Sequence, residues 1–161
     1  MKALILSDIH NARNNAVNVI RENKDSDAII FLGDGEKNFE LAMAACGLDI
    51  SGTTKQEVWQ VAGNCDWDSS EFTVKITEFA NTRIYISHGH GEGVKSRAGI
   101  ESLAEIAGAN GCKIAFFGHT HRQFKEERNG VVLFNPGAVL NGEYGIIQIE
   151  DGDIRCVHRS I

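Results

Sequence analysis

Proline occurs once in this chain of 161 residues, at Pro136, and no stretch is dominated by serine, by glycine or by a repeated unit. A sequence without such segments has neither a polyproline rod nor a flexible linker to divide it. Cysteine is sparse as well. Cys46, Cys65, Cys112 and Cys156 stand far apart with no C-x-x-C pair, so the chain lacks the density of a disulfide-stapled secreted scaffold and its thiols read as reduced. No apolar run reaches the roughly 18 residues of a membrane span. The apolar stretch at the N-terminus is too short for a signal-peptide core, and a cytoplasmic location is expected. Basic residues are the minority: 16 Lys and Arg against 22 Asp and Glu leave a net charge of −6. That balance argues against a general nucleic-acid or anionic-membrane surface, whose non-specific binding comes from cations neutralising phosphates.

What remains is ordinary globular composition, 42% apolar and 24% charged, in a length that suits one domain over residues 1–161. The first half alternates strand and helix. Residues 2–7, 28–32 and 57–62 read as strands. Residues 12–23 and 37–46 read as helices, the first turning Ala16, Val17, Val19 and Ile20 inward, the second Phe39, Leu41, Ala42 and Ala45. Gly47 ends the second helix where a left-handed cap is favoured, and 52–55 is a loop. This β-α-β-α-β order predicts a parallel sheet with ligands gathered at the carboxyl ends of its strands. The second half is rich in hairpins. Segments 72–79 and 82–87 flank Ala80-Asn81, 123–127 and 131–134 flank Asn129-Gly130, and 144–150 and 154–158 flank Asp151-Gly152. Residues 96–110 read as a helix, 113–117 as a strand, and Asn135-Pro136-Gly137 as a turn. Two mixed β-sheets packed face to face, with helices outside, are predicted.

Five of the six histidines fall into three clusters, Asp8-Ile9-His10, His88-Gly89-His90 and Gly118-His119-Thr120-His121, each closing an apolar run. Gly33-Asp34 and Gly63-Asn64 close two more. Imidazoles, carboxylates and one amide oxygen are ligand types that borderline and hard divalent cations accept. The inventory exceeds what one tetrahedral ion needs, and two ions sharing a carboxylate would use it. Such cations would reverse the local field of an acidic chain and keep a phosphorylated substrate in play. In an extended segment the side chains of a His-x-His pair share one side, which directs His119 and His121 into one site. His158, remote from every cluster, is expected at the surface.

The order Asp-x-His, Gly-Asp, Gly-Asn, His-Gly-His, Gly-His-Thr-His, running from Asp8 to Gly137, resembles the calcineurin-like metallophosphoesterase family in its small single-domain bacterial and archaeal branch. The resemblance implies an α/β fold, a four-layer αββα sandwich of two mixed sheets, and a metal-dependent phosphodiesterase. It implies Asp8, His10 and His121 on a first metal and Asn64, His88 and His119 on a second, with Asp34 bridging. Two divalent ions are implied, manganese foremost, with nickel, iron, zinc or magnesium as alternatives. In that chemistry a hydroxide shared by the ions is the nucleophile, and the ions stabilise charge on the phosphoryl group. A neutral Asn64 keeps ligand charge low and the ions electrophilic. Asp34, Asn64, His90 and Asp66 are the catalytic candidates; His90 either contacts the substrate phosphate or packs.

Departures from the family pattern shape the substrate expectation. Cys65 stands where the family's phosphoprotein phosphatases usually carry a histidine that protonates the leaving group. A neutral thiol is a poor general acid at neutral pH, which favours small phosphodiesters; a phosphomonoesterase or nucleotide pyrophosphohydrolase is the alternative, and a metal-binding scaffold without turnover a further one. Cys65 reads equally well as a small spacer. Asp66 either orients a ligand such as His10 or caps a turn. Asn11 is a candidate cap for the following helix, with Asn14 or Asn15 supplying a polar group the family places nearby, and Ala138 replaces the serine of a common Asn-Pro-Gly-Ser turn. Trp67, Lys95 and Arg97 follow metal clusters in loops and are candidates for substrate contact. The expected partner is a small phosphoester, with no stable nucleic-acid complex and no membrane; a homo-oligomer is left open.

Overall fold

Four consecutive residues of the first strand, Ala3 to Leu6, are fully buried, so this strand is covered on both faces. A computed structural model describes residues 1–50 and 55–161; the expected loop at 52–55 falls, except for Lys55, outside the described residues. Strand β1 (Lys2–Leu6) is the centre of a five-stranded sheet in the order β10-β9-β1-β2-β3, where β2 is Ala28–Phe31, β3 Glu57–Gln60, β9 Glu143–Glu150 and β10 Asp153–Ser160. Strands β1, β2 and β3 run parallel, with Ala3 beside Ala28 and Ala28 beside Glu57, as the strand-helix alternation predicts; β9 and β10 add antiparallel. The second sheet runs β4-β5-β6-β8-β7. Its strands are β4 (Val74–Phe79), β5 (Thr82–Ser87), β6 (Ile114–Phe116), β7 (Gln123–Arg128) and β8 (Val131–Pro136). It mixes parallel β5-β6-β8 with antiparallel edges. Pro136 therefore ends a strand rather than forming the turn after it, at a sheet position where its missing N–H is tolerated.

Apolar layers lie on both sides of each sheet. Ile5, Ile30 and Ile147 of the first sheet meet Ile84, Ile114, Phe116 and Phe134 of the second. On the first sheet's outer face, Leu4, Leu6, Ile29 and Phe31 are covered by helices α1 (Arg13–Glu22) and α2 (Glu36–Ala45). Helix α3 (Arg97–Ala109) covers the second sheet through Leu103, Ala104 and Ala107. The result is the four-layer αββα sandwich.

Two helix expectations need correction. In α2 the buried side chains are Phe39, Ala42 and Met43, followed by Cys46, whereas Leu41 is 43% exposed and Ala45 is exposed. Positions 39, 42, 43 and 46 follow i, i+3, i+4, i+7; a residue two places after Phe39 lies on the far side. Asn11 does not cap α1, whose N-cap position is Ala12 without a side-chain bond. Asn15 does supply a polar tie, donating from Nδ2 to the Val139 carbonyl at 3.0 Å. The three hairpin turns are as predicted: both central residues of Ala80-Asn81, Asn129-Gly130 and Asp151-Gly152 have positive φ, the requirement of the tight turn that matches strand twist. Among the described residues no helix is long and apolar enough to cross a membrane.

Candidate metal centre

Parallel strands deliver their carboxyl ends to a common edge, and the clustered residues lie just past these ends: Asp8 and His10 after β1, Asp34 after β2, Asn64 after β3, His88 after β5, His119 and His121 after β6. Asp8, His10, Asp34, His119 and His121 have φ of 53°, 45°, 62°, 65° and 55°. Non-glycine residues seldom enter this left-handed region, although Asp and His do so more readily than most. The chain thus reverses after β1, β2 and β6 and brings these side chains to one cleft. This corrects the extended geometry expected for His119-Thr120-His121. The two rings reach one cleft from a tight turn and face different neighbours, His119 toward His88 at 5.1 Å between ring centres and His121 toward His10 at 5.2 Å.

Backbone bonds zip the ligand loops together. The Asp8 amide donates to the Gly33 carbonyl and the His10 amide to the Asp34 carbonyl, both at 2.9 Å, and the Gly118 amide donates to the His88 carbonyl at 3.0 Å. Gly63 and Gly118 have no alternative, because a Cβ at the first would overlap the Asp34 carboxylate and at the second the Ser7 hydroxyl.

The donor atoms fit a divalent cation. Asp8 is fully buried; its Oδ2 accepts from Ser7 Oγ at 2.6 Å and from the His119 amide at 3.1 Å. Its Oδ1 receives no hydrogen bond, although His121 Nε2 stands 3.1 Å away. His88 is fully buried too, and its Nδ1 lies 2.8 Å from the Leu32 carbonyl, an acceptor, so the proton sits on Nδ1. That leaves Nε2 facing Asp34 Oδ2, 3.4 Å away, with no hydrogen bond. An orphaned buried polar atom costs about 1–3 kcal/mol, and a cation between these two would satisfy both. Ligand atoms of Asp8, His10 and His121 lie within 4.8 Å of one another, as do those of Asp8, Asp34 and His88, and those of His10, Asp34 and Cys65.

Burial and neighbouring charges set the protonation of the same groups before any metal binds. Burial alone would raise the Asp34 carboxyl, but His88 and the Cys65 amide, 2.7 Å from Oδ1, outweigh it and hold the group below the ordinary carboxylate range. Burial would lower His88, yet the Asp34 and Asp8 carboxylates raise it. His119 is pushed down to about 4, by burial first and then by the charges of His88 and Lys95. It is a neutral donor at physiological pH.

The remaining candidates fall around this cluster. His90 lies 5.5 Å from His88 and 6.2 Å from His119 between ring centres, with Nδ1 buried and unpartnered. Asn64 is exposed and turns its Nδ2 to Cys65 Sγ at 3.3 Å. Burial and the neighbouring Asp34 raise the Cys65 thiol above its ordinary value. Trp67 is 89% exposed, and Lys95 and Arg97 are exposed at the start of α3. Asp66 does not orient His10 but grips backbone: Oδ2 accepts from the amides of Asp34 and Gly63 at 2.7 and 2.9 Å, Oδ1 from those of Gly35 and Glu36 at 2.8 and 3.1 Å. It caps α2 and ties two ligand loops at once.

Some supports were missed at the level of sequence. Asn38 Nδ2 donates to the His10 carbonyl at 2.6 Å. Buried Asn135 donates from Nδ2 to the Gly118 carbonyl at 2.8 Å and to Thr120 Oγ1 at 3.1 Å, bracing the His119–His121 turn. His158 is half-buried rather than a surface residue. It donates from Nε2 to the Asn135 carbonyl at 2.9 Å and stacks on Phe134 at 4.6 Å. Counting by two from buried Cys156 along β10 places His158 on the inner face, a signal that isolation from the other histidines obscured.

A buried cluster of carboxylates and imidazoles at the joined edge of two mixed sheets is the class of site that holds divalent metal. The chain belongs to the calcineurin-like phosphoesterase superfamily, whose domain model matches residues 1–151. It is 28% identical over 142 residues to YsnB of Bacillus subtilis, a probable metallophosphoesterase, covering 86% of this chain and 75% of that protein. Solved structures share the fold: a predicted phosphoesterase from Streptococcus pneumoniae (TM-score 0.77, 19% identity, 99% of this chain and 88% of that one) and an archaeal phosphodiesterase (0.72, 20%, 99% and 100%). Vps29 of Entamoeba histolytica complexed with zinc is a third (0.70, 17%, 99% of each chain).

Proposed function

We propose that the chain is a dinuclear metal-dependent phosphodiesterase acting on a small phosphodiester, with manganese as its foremost metal. The observation that carries this reading is the position of Asp34 Oδ2, 3.4 Å from His88 Nε2 and 3.9 Å from His10 Nε2. One carboxylate oxygen stands between two groups of imidazoles, where it can serve both. Asp8, His10 and His121 would hold one ion, and His88, His119 and Asn64 the other, Asn64 after turning its amide oxygen inward from Cys65. Bound there, the ions supply an activated water at neutral pH and charge neutralisation at the phosphoryl oxygens. Buried Asp8 and His88, each fixed by its second polar atom, keep the donors aimed without reorganisation. His90, with an unpartnered nitrogen beside His88 and His119, is placed to hydrogen-bond a phosphoryl oxygen.

Preference for diesters rests on Cys65. It occupies the rim of the cleft, and its thiol is held in the protonated form by burial and by Asp34, so the proton needed by a poor leaving group is withheld. The archaeal neighbour named a phosphodiesterase is in keeping with this choice. A monomeric or homo-oligomeric cytoplasmic enzyme with no nucleic-acid or membrane partner completes the proposal. The test is metal analysis of the purified protein, followed by hydrolysis of bis(p-nitrophenyl) phosphate and p-nitrophenyl phosphate with manganese, magnesium or nickel added back. Two metal equivalents with faster diester turnover are expected. One equivalent, or faster turnover of the monoester, would refute the dinuclear or the diester part respectively.

A further inference from the structure

Beside the cluster, between the first turn of α3 and the residues that follow His121, lies a groove of about 540 Å³. It shares walls with the ligand loops. Thr120, between His119 and His121, lines it, and so does Val94, whose amide bonds the carbonyl of Gly89 next to His88. Val94, Ile100 and Phe124 give the groove an apolar side, Phe124 standing edge-on to buried Phe117 at 5.7 Å between ring centres. Lys95, Arg97 and Arg122 give it a cationic side. No carboxylate lines it, in a chain whose net charge is −6. Among the described residues none of the three cations takes part in an ion pair.

Exposed cations grouped without protein carboxylates give the groove a positive potential that attracts an anion from solution. The proposed metal centre already deals with the charge of the scissile phosphoryl group, so these side chains are left for a second anion. Guanidinium groups hold phosphate oxygens in pairs. The apolar side suits a flat ring. We infer that the groove receives the uncleaved part of the substrate, and that this part carries a further phosphate on a flat apolar group, as a nucleotide bearing a second phosphate does. The inference rests on the phosphoesterase reading for its account of which part of the substrate occupies the groove.

Binding is measured by calorimetry on the manganese-loaded full chain, whose proposed metal centre takes the phosphate that both nucleotides share. Adenosine 3′,5′-bisphosphate is expected to bind about ten-fold more tightly than adenosine 5′-monophosphate, the added phosphate meeting solvent-exposed guanidiniums. Arg97→Glu and Arg122→Glu should each erase that preference, and the milder Arg122→Gln should reduce it. Rising salt should erode it in the wild type. Equal affinity for the two nucleotides, or a preference that survives both charge reversals, overturns the inference. Hydrolysis of bis(p-nitrophenyl) phosphate by the manganese-loaded chain is scored apart. Turnover without nucleotide preference removes the groove and leaves the enzyme reading standing, whereas nucleotide preference without turnover of any ester strikes at the enzyme reading and keeps the binding site.

Discussion

The carboxylate of Asp66 accepts a 2.7 Å hydrogen bond from the backbone amide of Asp34, the residue placed between the two groups of imidazoles. The same carboxylate takes three further amides. Asp66 positions Asp34 without touching the cluster. Asp66→Asn offers one acceptor oxygen where two are used, so metal affinity should fall about 10- to 100-fold, as for other groups that orient ligands. Asp66→Ala should do worse and also lower the melting temperature. Calorimetric metal titration of the three proteins checks this; an Asn variant with wild-type affinity would show that the grip on Asp34 is dispensable.

Asp34→Asn should impair both proposed ions together, since a neutral amide bridges two cations poorly. Asn64→Ala should weaken chiefly the second. Mass spectrometry under non-denaturing conditions reads the stoichiometry directly. An Asp34 variant that keeps two ions and full activity would exclude the bridging role.

Cys65→His should raise hydrolysis of alkyl monoesters relative to nitrophenyl diesters, because an imidazole near neutral pH donates the proton that the thiol retains. General acid catalysis is worth on the order of 10² to 10⁴ in rate, so even an imperfectly placed ring should register. The quantity to compare is the ratio of kcat/KM values for the two esters at equal metal content. If that ratio does not move, diester preference arises elsewhere in the cleft.

The metal-free protein should show its own pH signature. His88 has a raised pKa, so the proton it carries stabilises the fold below the unfolded-state value and that contribution is lost as pH climbs through the folded one. Asp34 is the reverse case: its depressed pKa adds stability above the ordinary carboxylate value, lost only as pH falls through the folded one. His119, depressed to about 4, adds stability that is complete above the ordinary imidazole range. Above the ordinary imidazole range only His88 is still titrating among these three, and its sign is destabilising. The chelated protein should therefore lose thermal stability as pH climbs above the ordinary imidazole range, while the manganese-loaded protein, with the metal in place of that proton, stays level. Calorimetric scans at constant ionic strength distinguish the two. A chelated protein that gains stability over this interval would contradict the assignment of His88.

Much of this was legible in the residues, for reasons that can be named. The parallel β1-β2-β3 core follows from apolar runs alternating with helical spacing, and each hairpin turn from dipeptides suited to positive φ. The clustering of Asp8, His10, Asp34, His88, His119 and His121 follows from their place after parallel strands. What stayed hidden depends on contacts distant in sequence. Apolar Leu41, Ala42, Met43 and Ala45 offer α2 two competing faces, and packing against the first sheet takes the one that Phe39 shares with Met43. Asp66 finds four amides that no local rule brings together. His158 reaches Asn135 only because β10 lies inside the reach of a second sheet. The His119–His121 turn misled an argument from extended geometry, because two left-handed residues replaced the alternation that argument assumed.

None of the proposed ligands belongs to the three apolar layers: the sheets close on Ile5, Ile30, Phe116 and Phe134, the helices on Leu4, Phe31 and Leu103, all away from the loops that carry Asp8, His10, Asp34 and the histidines. Chemistry and architecture are inherited separately in such a molecule. The half-buried histidines of those loops could be exchanged with the layers still packed, buried His88 being the one whose loss the fold would feel, and the emptied edge would persist as a firm ledge, open to tasks in which nothing is cleaved.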